Sequence, residues 1–148
     1  MNNELMFSTG KDDWETPQDF FNKINEEFHF TLDVCANSTN HKVDKYYSED
    51  EDGLSKNWSG EVCWCNPPYS RATKKKKGQA DWIKKCYEEG KKPNTIVVML
   101  IPARTDTIAF HEYIYNKSEI RFIKGRLKFG DAKGSAPFPS MLVIYRGD

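Results

Sequence analysis

The chain has 148 residues, of which 38% are apolar and 14% aromatic, enough for one domain with a core and too many for a disordered tail. Lys and Arg number 22 and are balanced by 22 Asp and Glu, so net charge singles out no partner. No apolar run reaches about 18 residues and the polar opening MNNELMFSTGKDD has no signal-peptide core, which leads to the expectation of a cytoplasmic protein with no membrane association.

Residues 1–12 are polar and expected to be flexible. WETPQDFFNKINEEF then predicts a helix, with Thr16 as N-cap, Pro17 at the first helical position and Asp19 in the first turn. Phe20, Phe21, Ile24 and Phe28 supply its apolar stripe. FHFTLDVCAN reads as a short strand ending near Asp33 or Val34, and residues 37–60 as irregular chain with turns at Asn37–Thr39 and Asp52-Gly53. A second strand, EVCWCN, is stopped by two prolines. Residues 70–79 form a basic loop, and QADWIKKCYEEG is a helix closed by Gly90. NTIVVMLIPA is apolar throughout, as a strand buried on both faces should be. RTDTIAFHEYIYN predicts a helix with Ile108, Phe110 or His111, and Ile114 or Tyr115 facing inward. EIRFIKGRLKF and SMLVIYR are strands that pair as a hairpin. This order argues a layered α/β fold in one domain, residues 1–148, with a mostly parallel sheet and an antiparallel C-terminal edge strand.

Four cysteines, Cys35, Cys63, Cys65 and Cys86, show no disulfide framework. Cys63 and Cys65 alternate onto one face of their strand, but one intervening residue is not a zinc-site spacing, and burial as small apolar groups is the expectation. No metal site is predicted. His29, His41 and His111 form no constellation either.

The chemistry concentrates at the carboxyl ends of the first two strands, where open α/β sheets bind ligands. There the sequence places Asp33 and, after the second strand, Asn66-Pro67-Pro68-Tyr69. Neither proline has an N–H, so the turn presents carbonyls without donors of its own. Pro67 forces Asn66 toward an extended backbone, and its side chain adds a second acceptor. Tyr69 offers a flat face for stacking. A planar ring bearing an amino group with two hydrogens fits such a turn.

NPPY resembles the catalytic motif of amino-methyltransferases that use S-adenosylmethionine, a motif shared by methylases of protein glutamine and of ribosomal RNA. Together with WETP, LDVCA, DGL, GRLKF and APFPS in that order, the chain from about residue 7 to 146 resembles the phage-type DNA N-6-adenine methyltransferases. The resemblance implies an abbreviated Rossmann-like S-adenosylmethionine-dependent methyltransferase fold. Only 32 residues separate Asp33 from Asn66, too few for two strand–helix units, and the usual glycines of the first cofactor motif are replaced by Asn37-Ser38-Thr39. The resemblance further implies that Asn66, Pro67, Pro68 and Tyr69 are the catalytic set, with Asn66 and Pro67 on the target amine and Tyr69 on the base. It places S-adenosylmethionine against Trp14, Thr16, Pro17, Asp33, Cys35, Ala36, Asp52 and Leu54. Phe138 and Ser140 are marked by resemblance alone.

DNA is the expected substrate and partner, reached by base flipping. Arg71, Lys74, Lys75, Lys76 and Lys77 follow the catalytic turn and suit phosphate contact, against the plainer reading of a solvated loop. Arg104 could contact DNA or pair with Asp106. Sequence selectivity would come from short loops or from a homodimer partner, or be low. Two alternatives stay open: a cytosine-amine DNA methyltransferase, and a catalytically inactive DNA-binding or cofactor-binding module, which the glycine-poor cofactor region favours and the intact NPPY disfavours. A protein-glutamine methylase is disfavoured by the lysine loop.

Overall fold

The computed structural model describes residues 15–129 and 136–147; the expectations for residues 1–12 and for Trp14 fall outside them. Helix α1 (Gln18–Phe28) buries Phe21 and Phe28, with Phe20 and Ile24 packed beside them. Its cap position falls on Pro17, whose ψ of 134° is extended, and the first turn closes when Phe21 N–H donates to the Pro17 carbonyl at 3.0 Å. Thr16 therefore stands one residue outside the helix and does not cap it. Its Oγ1 is buried with no partner among the described residues. The helix ends at His29, which takes the left-handed conformation (φ 55°) and donates its N–H to Asn25 O at 2.8 Å.

Strand β1 (Leu32–Asp33) pairs in parallel with β2 (Val62–Cys65), and β2 with β3 (Ile96–Pro102). Between β1 and β2 the chain adds no further strand to the sheet. It forms a 3-10 turn, Gly53–Ser55, and a single bridge between Asp33 and Tyr46, so the segment is abbreviated as its length requires. Strands β4 (Glu119–Phe122) and β5 (Ser140–Arg146) complete the order β1-β2-β3-β5-β4. Only β5 opposes the common direction. It sits one place in from the edge, antiparallel to β3 on one side and to β4 on the other. Burial explains the placement. β5 is buried from Ser140 to Tyr145, whereas β4 is half-exposed from Glu119 to Arg121 and exposed at Phe122, and suits the margin.

One face of the sheet carries Trp64, with Phe21 and Phe30 packed on it at ring separations of 5.2 and 5.5 Å. On the other face Cys63, Cys65 and Cys86 are all buried, and burial pushes the Cys63 and Cys65 thiols upward. Cys86 belongs to helix α2 (Gln79–Glu89), which also buries Trp82, Ile83 and Glu89. The segment after β3 departs from the expected amphipathic helix. It makes a short π-helical turn, Phe110–Ile114, closed by Tyr115 N–H to Phe110 O at 2.8 Å. The wider turn brings Phe110 and Ile114 inward, while Ile108 and Tyr115 are 78% and 53% exposed. No helix among the described residues is long and apolar enough to cross a membrane.

Gly90 ends α2 with φ −68°, a right-handed conformation that any residue adopts. What it supplies is space: an added Cβ would lie 2.3 Å from Tyr145 Cβ on β5. Helix propensity alone makes Gly90→Ala stabilising by about 1 kcal/mol, whereas overpacking costs about 1–3 kcal/mol. The expected result is a lower midpoint of urea unfolding for Gly90→Ala, with the slope of the transition unchanged.

Candidate active site

β2 ends at Cys65, and the turn of Asn66, Pro67 and Pro68 that follows stands at the carboxyl edge of the sheet. Asn66 and Pro68 are half-buried and face a cleft of about 580 Å³, while Pro67 is buried. Tyr69, expected to offer an open stacking face, is only 6% exposed. Its ring meets Phe138 and Phe129 edge-on at 5.6 and 6.3 Å. Its Oη lies 2.8 Å from Asn66 Oδ1 and 3.1 Å from the Leu100 carbonyl. Burial raises the phenol far above its ordinary range, so at physiological pH Tyr69 keeps its proton and acts as a donor. Arg104 is exposed and its guanidinium reaches the Tyr69 carbonyl at 3.4 Å, a tether from the end of β3 to the turn.

The cleft brings most of the expected cofactor residues together: Thr16, Asp33, Cys35, Ala36, Asp52 and Leu54 line it with Asn66 and Pro68. Pro17 is not on its wall and serves instead to start α1. Asp33 is 2% exposed. Its Oδ2 accepts the Lys42 N–H at 2.9 Å and its Oδ1 the Cys35 N–H at 3.3 Å. Desolvation outweighs these bonds and raises its pKa to about 6. The carboxylate thus folds the chain after β1 back on itself and still has lone pairs for a ligand.

Asp52 takes the left-handed conformation (φ 57°) and leads into Gly53. A Cβ on Gly53 would sit 2.2 Å from the Val34 carbonyl, so the DGL turn closes against β1 only with glycine there. Trp58 holds the turn by donating Nε1–H to Gly53 O at 2.9 Å, and its own N–H goes to Glu89 Oε1 at 2.7 Å. Lys85 and Lys92 flank that carboxylate at 3.1 and 2.8 Å; together with the Trp58 N–H they hold it below the usual range against the upward push of burial.

The cleft also contains residues that sequence reasoning missed. Lys42 has a side chain 6% exposed, with Nζ 3.0 Å from Gln18 Oε1 and 3.9 Å from Glu15 Oε2. Asn37, Asn40, Tyr47, Gly53 and Trp82 share the wall. No local pattern marks Lys42: it is one of 22 basic residues, and only the folding of its loop onto α1 buries it. Lys75, Lys76 and Lys77 line the cleft rather than standing apart from it, whereas Arg71 and Lys74 are exposed away from its wall. A tight turn shapes this loop, with Thr73 N–H donating to Lys76 O at 2.8 Å.

A ligand cleft at the strand ends of a mostly parallel sheet marks an α/β ligand-binding protein, and the Asn-Pro-Pro-Tyr turn on its border is the feature in which the chain resembles methyltransferases. In fold the chain is similar to a candidate RNA methyltransferase from Pyrococcus horikoshii, with a TM-score of 0.53 at 9% identity over 93% of this chain and 87% of that one. The chain belongs to the family described as DNA N-6-adenine-methyltransferase (Dam), whose model matches residues 5–147. It is 30% identical to the DNA N-6-adenine-methyltransferase of Haemophilus phage HP1, over 91% of this chain and 79% of the relative. It is 31% identical to the enzyme of the same name from Escherichia phage T1, over 79% of this chain and 47% of the relative, so it spans about half of that protein.

Asp33 generates a test that needs no ligand. Its folded pKa of about 6 lies above the ordinary 3.8, so the native state holds its proton more tightly than the unfolded chain. Its contribution to stability is complete below about pH 4 and is lost as pH rises through about 6. The stability of Asp33→Asn relative to wild type should therefore rise by up to about 3 kcal/mol between pH 4 and pH 7. Denaturant unfolding at a series of pH values reads this, and a flat difference would contradict it.

Proposed function

We propose that this protein transfers a methyl group from S-adenosylmethionine to the exocyclic amine of adenine in DNA. The observation that carries the reading is the sharing of one cleft by Asn66 and Pro68 with Thr16, Asp33 and Asp52, so that acceptor turn and cofactor candidates face the same space. The fit of the cofactor rests on residues whose polar groups are available there. Thr16 Oγ1 is buried without a partner among the described residues, Asp33 presents a carboxylate, and Lys42 is a sequestered cation suited to a carboxylate. When bound, S-adenosylmethionine supplies an electrophilic methyl on a positively charged sulfur.

The chain's own part is to make a poor nucleophile attack. The adenine amine is weak because its lone pair is delocalised into the ring. Acceptors from Asn66 Oδ1 and the Pro67 carbonyl hold its two hydrogens, favour a tetrahedral nitrogen, and stabilise the positive charge that develops on it. Positioning in line with the donor does the rest, with no covalent enzyme intermediate. A base inside a duplex is out of reach of this turn, so the adenine is flipped into the cleft beside Asn66 and Pro68. Lys75 to Lys77 on the cleft wall, with the exposed Arg71 and Lys74 of the same loop, bind phosphates. Such a protein works in the cytoplasm of the host cell.

Two measurements test this. With labelled S-adenosylmethionine and unmethylated DNA, wild type should yield N6-methyldeoxyadenosine after digestion, and Asn66→Ala should lower the rate on the order of 100-fold. Deoxycytidine methylated on its amine would keep the turn's chemistry and change the base; folded wild type that binds DNA and transfers nothing would sink the enzyme reading. Replacing Lys74–Lys77 by Gln should weaken DNA binding and flatten its dependence on log salt by about 0.9 for each phosphate that the lysines no longer neutralise. An unchanged slope would return those lysines to a solvated loop.

A further inference from the structure

Lys42 is held at both ends. Its backbone N–H donates to Asp33 Oδ2 at 2.9 Å, and its side chain, 6% exposed, reaches Gln18 in the first turn of α1. The loop that carries it is braced. His41 stacks on Tyr46 with ring centroids 4.2 Å apart, and His41 Nδ1–H donates to the Val43 carbonyl at 2.8 Å. On the other side Gln18 Nε2 donates to Asn22 Oδ1 at 2.8 Å, which leaves Gln18 Oε1 to Lys42. The ammonium is therefore placed before any ligand arrives, and such preorganisation lowers the cost of binding.

What surrounds that ammonium does not saturate it. An ammonium has three hydrogens to donate. Among the described residues Nζ has a single hydrogen-bond acceptor, the neutral Gln18 Oε1 at 3.0 Å. The Glu15 carboxylate stands 3.9 Å away, close enough to attract and too far for a hydrogen bond. Its side chain is 47% exposed, which weakens the attraction further. A buried charge so sparsely paired is costly, and a further anionic acceptor relieves it. A second donor lies on the same cleft wall, where Thr16 Oγ1 is buried with no partner among the described residues. Two unsatisfied donors, one of them cationic, suit a carboxylate. Lys75, Lys76 and Lys77 share the wall but are exposed to water.

We infer that Lys42, together with Thr16, anchors the carboxylate of the methyl donor and so fixes which end of that molecule lies at the entry to α1. This rests on the proposed use of S-adenosylmethionine, which has one carboxylate, at the tip of its amino-acid arm. Loss of the methyl group leaves that carboxylate in place. S-adenosylhomocysteine, the product, therefore uses the same anchor, and a nucleoside without the arm does not.

Calorimetric titration of the full chain with S-adenosylhomocysteine and with 5′-methylthioadenosine, which lacks the amino-acid arm, tests the anchor without turnover. Lys42→Met keeps the aliphatic stem and removes the ammonium. It should weaken S-adenosylhomocysteine binding about 10- to 100-fold, the worth of a charge-assisted hydrogen bond. Affinity for 5′-methylthioadenosine should stay within about twofold, and its binding also reports that the variant is folded. Equal losses for the two ligands point to a structural lysine and overturn the inference, as does unchanged affinity for S-adenosylhomocysteine. If Lys42→Met does not fold, wild type decides. S-adenosylhomocysteine with its carboxylate converted to an amide should then bind about 10- to 100-fold more weakly than the acid. That difference should persist in about 0.5 M salt, because a buried pair is little screened. Equal affinities, or a difference that salt abolishes, overturn the anchor and leave the cofactor reading standing. Wild type that binds none of the three ligands removes the cofactor reading, and the anchor falls with it.

Discussion

The absence of a hydrogen on one nitrogen organises the site. Pro67 cannot continue the ladder to β3, so β2 must leave the sheet while β3 runs on to Pro102. The chain that departs there is stiffened by a second proline and returns a side chain, Tyr69, to the carbonyl that Pro67 left open. A turn made this way is rigid, presents carbonyls, and lies where parallel sheets open to ligands. The acceptor chemistry and the strand termination share one cause.

The wall of the cleft around Asp33 and Asp52 is built differently, from irregular chain held by a few buried polar groups. Asp33 receives two backbone N–H groups from the loop that follows it, and Tyr47 N–H returns to the Asp33 carbonyl at 2.9 Å. Trp58, fully buried, braces the DGL turn from below, and Glu89 on α2 braces Trp58 in turn. These contacts let a short connection do what a strand and helix would otherwise do: place Asp33, Asp52 and Leu54 around one cleft. The buried carboxylate of Glu89 is compensated by two lysines and a backbone donor, the arrangement that makes such burial tolerable.

Much of the frame was legible in the residues. The uninterrupted apolar run of β3 announced a central strand, the stripe in Gln18–Phe28 announced a helix against the sheet, and the paired prolines announced the end of β2. That Asp33 and Asn66 stand at strand ends, where both line the cleft, was legible for the same reason, since each directly follows an apolar strand position. Thr16 was misplaced because Pro17 suits either the cap or the first turn by sequence, and its ψ is settled by how α1 docks. The position of β5 was hidden because a hairpin partner and a central neighbour need the same apolar residues; which one β5 has on each side depends on β3 offering a free edge. The π-helical turn was hidden because Phe110 and Ile114 are spaced as an ordinary helix would space them.

What the amino-acid sequence alone determined is what individual side chains and neighbouring residues enforce: periodicity, the missing N–H of Pro67, the acceptors of the Asn-Pro-Pro-Tyr turn, and the family resemblance these carry. The tertiary structure alone decided which distant groups meet: Tyr69 with Leu100, Trp58 with Glu89, Arg104 with the Tyr69 carbonyl, and Lys42 with Gln18 and Glu15. Each of these pairs is separated along the chain by 24 or more residues. The physical reason is one of range. Backbone preferences act over a few residues, whereas a buried hydrogen bond is chosen only after packing has excluded water and fixed what remains within reach.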